Sequence, residues 1–492
     1  MAAPLVLGID QGTSSTKCLL VDGSGTIVSL GQAALAETHP QPGWVEQDAE
    51  AVWASVQEAV QACVSPDQAG DIVAAGLSTQ RESVVAWDRA TGEPLSKVLS
   101  WQDRRTVALA ASIGTPAVLD RVRAISGLPL DPMFSALKAR WILDSIDPDR
   151  TRAKAGAICI GTIDSWLMSR FGGEALVEAG NASRTQLLDV DRGTWSDELL
   201  AIFDIPIAAL PRVVPSNGPF PALRRLAPLP DGVPLAAVMA DSHAALFAHG
   251  AKRPGDVKAT QGTGSSVMGL VTSGATLDPG VCKTIAWSLD GIVHAAEGNI
   301  RAAGATLRWV AGLLNLSVDD LMALAEGADS QGVSLVPGFN GLGAPWWDDQ
   351  AVGLLTNFTL GTSRAAVARA ALDSIAHQIA DVIDAIHRGS TPLGRLFVDG
   401  GPTRNDDLLQ AEADLIGRPI LRGSTAELSA LGVIQLAGLE IGLWTEAQLA
   451  DRQPRLDMFE PRLSEATRRG ARERWRRAVE RSRFRDPMPD AA

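Results

Sequence analysis

Leu5-Val6-Leu7-Gly8-Ile9-Asp10-Gln11-Gly12-Thr13-Ser14-Ser15-Thr16-Lys17-Cys18-Leu19-Leu20-Val21-Asp22 is a mostly apolar run that ends in a carboxylate, turns through a glycine and hydroxyl residues, and resumes as a second apolar run. That pattern predicts a buried hairpin. Its turn suits phosphate, because backbone N–H groups and hydroxyls can point into one concavity. Lys17 adds positive charge nearby, and Asp10 can hold hydrated Mg²⁺ against phosphate oxygens. An ordinary tight hairpin with a solvated Asp fits this stretch equally well.

Working outward, Asp22-Gly23-Ser24-Gly25 turns into a third strand over 26–30, so residues 5–35 form an antiparallel meander. A helix is expected over 49–64, with apolar residues at helical spacing on one face. A strand over 72–77 delivers Ser78-Thr79-Gln80-Arg81-Glu82, and a further apolar run covers 84–87. Prolines recur over 205–235 and exclude a long helix there. Residues 235–240 read as a buried strand ending at Asp241-Ser242-His243, where a carboxylate can reach into a cleft or serve as a helix cap. Residues 256–271, with Gln261-Gly262-Thr263-Gly264-Ser265-Ser266 at the centre, repeat the strand, Gly/Thr/Ser turn and strand of the opening. Two phosphate-type hairpins about 250 residues apart imply two related halves facing one cleft. Leu396-Phe397-Val398-Asp399-Gly400-Gly401-Pro402-Thr403-Arg404-Asn405 is a strand and glycine turn leading into a helix, where backbone can approach a flat nucleotide. His377 reads as a packed helix residue, and the Arg-rich 468–485 stretch as a solvated helix.

At 492 residues the chain exceeds one hydrophobic core, and two large domains are expected. A net charge of −13 argues against a general nucleic-acid binder. It also repels ATP at long range, so any phosphate site must be local. Cys18, Cys63, Cys159 and Cys282 sit in apolar contexts without a C-x-x-C pair and read as reduced core residues. No signal-like start and no apolar run of about 18 residues is present, so a cytoplasmic protein without a membrane partner is expected.

Gly8-Ile9-Asp10-Gln11-Gly12-Thr13-Ser14-Ser15-Thr16-Lys17 resembles the opening of the FGGY carbohydrate kinases, the glycerol kinase subgroup in particular. So do Gly43-Trp44, Gln80-Arg81-Glu82, Trp101-Gln102-Asp103, Asn181-Ala182-Ser183-Arg184-Thr185 and Gly341-Leu342-Gly343-Ala344-Pro345. Residues 133–144 match most of the first family signature, with Ala139 where a larger apolar residue is usual, and residues 353–373 approximate the second. No G-x-x-x-x-G-K-[ST] loop occurs. The resemblance implies an α/β, two-domain actin-like (ribonuclease H-like) ATPase fold with a central interdomain cleft. It divides into residues 1–246 for acceptor, metal and catalytic base, and residues 247–492 for the nucleotide.

The same resemblance implies ATP and Mg²⁺ as cofactors and transfer of the γ-phosphate to glycerol or a similar small polyol or sugar, with a homodimer compatible. Asp241 would be the general base, and Asp10 with Asp241 would hold the metal. Thr13, Ser14, Lys17 and Thr263 would contact phosphates, while Gly304, Gly401 and Asn405 surround adenosine. Arg81, Glu82, Trp101, Met133, Asp241, Ser242 and Ser266 would line the acceptor site. Three of these depart from the glycerol kinase pattern: Met133 replaces a hydrogen-bonding Tyr, Ser242 a Gln, and Ser266 an aromatic residue. Such a pocket has lost a donor and an apolar wall, which could admit a longer polyol or sugar. The alternatives are a pentulose kinase of the xylulokinase type, whose Met-His pair is lacking, and a non-kinase actin-like ATPase.

Overall fold

A computed structural model describes residues 4–388, 391–423, 427–452 and 455–485. The opening hairpin forms as expected, strands Leu5–Gln11 and Ser15–Asp22 pairing antiparallel with Asp10 opposite Lys17. The Gly12 N–H donates to the Ser15 carbonyl at 3.0 Å and closes the turn. A third strand, Ile27–Ala34, completes the antiparallel meander. On the other side of the first strand, Ile72–Thr79 runs parallel to it, and Leu235–Ala240 runs parallel to that. Parallel alignment brings the C-terminal ends of these strands to one edge, where Asp10 faces Ser78 and the chain leaves Ala240 for Asp241.

The described residues form two compact units that are discontinuous in sequence. The first comprises Met1–Gly250, Lys283–His294 and Glu427–Gln453; the second comprises Ala251–Cys282, Ala295–Ala426 and Pro454–Ala492. In the first, helix Ala49–Cys63, capped by the Asp48 carboxylate on the Ala51 N–H, buries Val52, Trp53, Val56 and Val60 against the sheet. The other face is covered by a helix from far along the chain, Leu428–Glu440. Its backbone comes so close that a Cβ at Gly76 would lie 2.4 Å from the Val433 carbonyl oxygen, and one at Gly8 2.7 Å from that of Ala430. A Cβ at Gly432 would lie 1.9 Å from the Ala244 carbonyl oxygen on helix Asp241–Ala248. Glycine is the residue that permits such contact.

In the second unit the strands run in the order Ile292–Ile300, Ser265–Leu270, Val257–Gln261, Leu396–Asp399, Ile420–Arg422 and Asp457–Phe459. Helix Arg364–His387 buries Ile375, Ile379, Val382 and Ile386 in its core. His377 is packed, stacked on Trp475 with ring centroids 5.0 Å apart. The Arg-rich C-terminal helix, Glu465–Ser482, is docked rather than simply solvated. Trp475, Ala478, Val479 and Ser482 make a buried helical stripe, and the Trp475 indole N–H donates to Asp381 at 2.7 Å. Residues 205–235 hold only a short 3₁₀ turn and the strand Arg212–Val214 as regular structure. All four cysteines are buried thiols, and among the described residues no helix is long and apolar enough to cross a membrane.

Two expected outcomes follow from this packing. Gly432→Ala should cost roughly 3 kcal/mol or more, since the new methyl meets backbone rather than a movable side chain; a lowered urea midpoint checks it. Glu412 is fully buried with the Gln261 amide donating to it at 2.7 Å, and burial pushes its carboxyl from 4.5 up to about 8. The folded protein therefore keeps a proton there between about pH 4.5 and about pH 8 that the unfolded chain has released, so this group's contribution to stability falls as pH rises across that window. Glu412→Gln should remove that contribution, its stability advantage over the parent widening with pH in chemical-denaturation curves.

Candidate active site

Asp10, one residue before the end of the first strand, is half-buried and accepts a hydrogen bond from the Ser78 hydroxyl at 2.9 Å. Burial first, and then the nearby Asp241 carboxylate, push its carboxyl up to about 7; Glu427 adds to this, while Ser78 and Lys17 oppose it. A carboxylate facing other carboxylates is a place where a cation relieves repulsion. Among the described residues no cage of three or more His, Cys, Asp or Glu ligands exists. The donor set instead fits Mg²⁺, which keeps several of its waters and takes one or two carboxylates.

Lys17 is already engaged. Its ammonium donates to both carboxylate oxygens of Glu427, at 2.9 and 2.8 Å, so most of its charge is matched within the unit. Glu427 has a left-handed backbone (φ 61°) and immediately precedes the helix that covers the sheet. Thr13 is tied to Trp101 and Gln47, because the Trp101 indole N–H donates to its hydroxyl at 3.0 Å and the Gln47 amide to its carbonyl at 2.6 Å. Ser14 is exposed, and its carbonyl accepts from the Leu35 N–H.

Arg81 and Glu82 follow the Ile72–Thr79 strand and are held by a buried amide network. The Gln80 amide donates to Gln11 and Gln47, and the Ser83 hydroxyl donates to Gln80. Arg81 Nε lies 3.3 Å from Asp241 Oδ1 and 4.0 Å from Glu82 Oε2. Arg184 Nε donates to Glu82 Oε1 at 2.6 Å. Asp241, in the first turn of its helix, also accepts from the Ser242 N–H at 2.6 Å and keeps a partly exposed side chain. Met133 lies just before helix Ser135–Ile146, its N–H donating to Asp131. The first unit thus collects Asp10, Thr13 and Trp101, and links Arg81, Glu82 and Asp241 through side-chain charges.

In the second unit the hairpin turn and helix Gly304–Leu313 lock together. The Ala303 and Ala305 N–H groups donate to the Thr263 carbonyl, and the Gly304 N–H donates to that of Gly262. A Cβ at Gly304 would lie 2.6 Å from the Gly262 carbonyl oxygen, which explains the glycine. Arg308, one turn along, donates to the Thr263 hydroxyl at 3.2 Å. The Ser266 hydroxyl donates to Glu297 at 3.0 Å. Gly400, at φ 101°, would place a Cβ 1.9 Å from the Gln261 carbonyl oxygen, so the Gly400-Gly401 turn lies against the base of the hairpin. Gly401 has open space above it, and Asn405 caps helix Asp406–Ile416 by accepting from the Leu408 N–H at 2.8 Å. Glu427, Arg184 and Arg308 complete these clusters, and no short motif announced the part they play.

The chain is similar to known proteins over nearly its full length. Residues 5–248 match the profile described as the FGGY family of carbohydrate kinases, N-terminal domain, and residues 257–441 match that of its C-terminal domain. An apulose kinase from Pectobacterium atrosepticum is 41% identical, covering 99% of both chains. A glycerol kinase from Dechloromonas aromatica is 42% identical, covering 97% of both. The crystal structure of Plasmodium falciparum glycerol kinase with ADP superposes with a TM-score of 0.92 at 26% identity, over 98% of this chain and 99% of that one. With a two-domain α/β fold and this similarity over nearly its full length, the chain belongs to the FGGY family of carbohydrate kinases and is an ATP-dependent phosphotransferase acting on a sugar or polyol.

Proposed function

We propose that the acceptor is glycerol or a similar small polyol or sugar, held by Arg81, Glu82, Trp101 and Asp241, and that Asp241 is the general base. The carrying observation is the Arg81–Asp241 pair at 3.3 Å beside Glu82. It sets a donor and two acceptors for hydroxyls at the end of a buried strand. The partly exposed Asp241 can accept a hydrogen bond from the attacking hydroxyl and take its proton as the phosphoryl group transfers. Trp101, with its N–H committed to Thr13, offers its ring face to the carbon backbone.

On the nucleotide side, Thr13, Ser14 and Thr263 with their neighbouring N–H groups contact phosphates, and Gly304, Gly401 and Asn405 surround the adenosine. Lys17 contributes through its pairing with Glu427 more than as a free cation. Asp10 and Asp241 would hold Mg²⁺, which supplies charge neutralisation for the transferring phosphoryl group. Arg308 adds a cation beside Thr263.

Among small acceptors, one larger than glycerol has specific support. Met133, Ser242 and Ser266 stand where glycerol kinases carry larger or better hydrogen-bonding side chains, and the relative described as an apulose kinase is as similar as the glycerol kinases are. Room and unmatched polar groups decide such discrimination.

Two measurements test the reading. Asp241→Asn should lower kcat about 10²- to 10⁴-fold while ATP binding measured by calorimetry stays near that of the parent; unchanged turnover would remove Asp241 from its role. A coupled ADP-release assay over glycerol, apulose, xylulose and a series of tetritols and pentitols should give its highest kcat/KM with an acceptor of more than three carbons. Glycerol in first place would instead favour the smaller pocket.

A further inference from the structure

Three of the segments that supply the proposed acceptor side chains of the first unit are Gln80–Ser83, Ser100–Trp101 and Met133–Phe134. Behind them lie two cations whose side chains are fully buried, Arg184 and Lys138. Lys138, on helix Ser135–Ile146, donates from Nζ to the Met133 carbonyl at 2.6 Å and to the Ser100 carbonyl at 3.2 Å. One ammonium thereby ties the residue before Trp101 to Met133. Burial pushes the Lys138 ammonium down to about 7, while Glu82, Asp103 and Asp131 favour the charged form and Arg105 opposes them. Arg184 holds Glu82 directly at 2.6 Å, and its guanidinium lies over the Phe134 ring, 5.1 Å from the centroid. Glu82 itself has a left-handed backbone at φ 61°, with its carbonyl accepting from the Ser135 hydroxyl at 3.0 Å. A non-glycine residue keeps that conformation where its surroundings over-determine it.

The charges make an alternating row: Arg184, Glu82, Arg81, Asp241. The spacing is uneven, tight from Arg184 to Glu82 at 2.6 Å, loose from Glu82 to Arg81 at 4.0 Å and closer again from Arg81 to Asp241 at 3.3 Å. A buried carboxylate does not remain unmatched. With Arg184 satisfying Glu82, Arg81 is left to face Asp241. Without Arg184, Arg81 is the cation best placed to turn to Glu82 and away from Asp241.

We propose that Arg184, with Lys138 supporting it, is a positioning residue for the phosphoryl acceptor: neither cation touches the acceptor, but together they hold Glu82, Arg81 and the Trp101 and Met133 segments in register. This rests on the acceptor reading above.

The test uses the full-length enzyme and the variants Arg184→Met, Arg184→Lys and Lys138→Met, with two readouts. In steady-state kinetics with the best acceptor of the panel, Arg184→Met should raise the acceptor KM about 10- to 100-fold while the ATP KM changes less than about twofold. Arg184→Lys should recover part of the loss, and Lys138→Met combined with Arg184→Met should be less than additive because both side chains hold the Met133–Phe134 segment. A variant with the parent's acceptor KM, or with both KM values raised alike, overturns the proposal. The second readout is a crystal structure of Arg184→Met, or of the equally uncharged Arg184→Gln if the first does not fold, in which Arg81 should have moved from Asp241 towards Glu82. Arg81 still on Asp241 overturns the proposal whatever the acceptor proves to be. A parent enzyme without acceptor-dependent turnover would count against the acceptor reading alone, and the crystal structure would still decide the role of Arg184.

Discussion

The first unit depends on a contact that only glycine allows. Helix Leu428–Glu440 lies on the hairpin sheet at backbone distance, over Gly8 and Gly76, and meets helix Asp241–Ala248 through Gly432. That approach does more than fill a core. It carries Glu427 to Lys17, and it brings the Ser429 hydroxyl to the Asp241 carbonyl at 3.0 Å. Both ends of the proposed chemistry in this unit, the phosphate hairpin and the base, are therefore braced by the same helix.

Much of the arrangement is readable from local pattern. Both hairpins, the parallel strand ends that present Asp10 and Asp241, and the Gly400-Gly401 turn follow from strand-length apolar runs and glycine punctuation, which act over a few residues. What local pattern does not carry is who answers whose charge. Lys17 reads as a phosphate contact, yet its partner Glu427 lies 410 residues away. Arg184 sits in a stretch that is legible only through its family resemblance, and that resemblance gives no role to the guanidinium that serves Glu82. The C-terminal helix looks solvated because arginines dominate its composition, and only the spacing of Trp475, Ala478, Val479 and Ser482 betrays the docked face. The first unit is discontinuous in sequence: Lys283–His294 and Glu427–Gln453 join Met1–Gly250 through packing that no nearby residue signals.

Electrostatics shapes the site on two scales. The chain carries a net −13, so an anionic nucleotide gains little from the long-range field. Close in, the acidic groups are sorted by partner. Glu82 is matched by buried cations, while Asp10 is raised by burial and by the carboxylates of Asp241 and Glu427. Asp10 thus faces carboxylates rather than a buried cation, which is the setting the proposed metal role requires.

The covering helix also bears on how the polypeptide matures. A ribosome that has released the first 250 residues has produced every strand of the hairpin sheet but not the segment that closes over Gly8 and Gly76. That apolar surface stays open until nearly the whole chain has been translated. Nascent protein thus passes through a long vulnerable interval, in which premature termination before residue 427 leaves a sheet with one bare side, a natural client for chaperones and proteases.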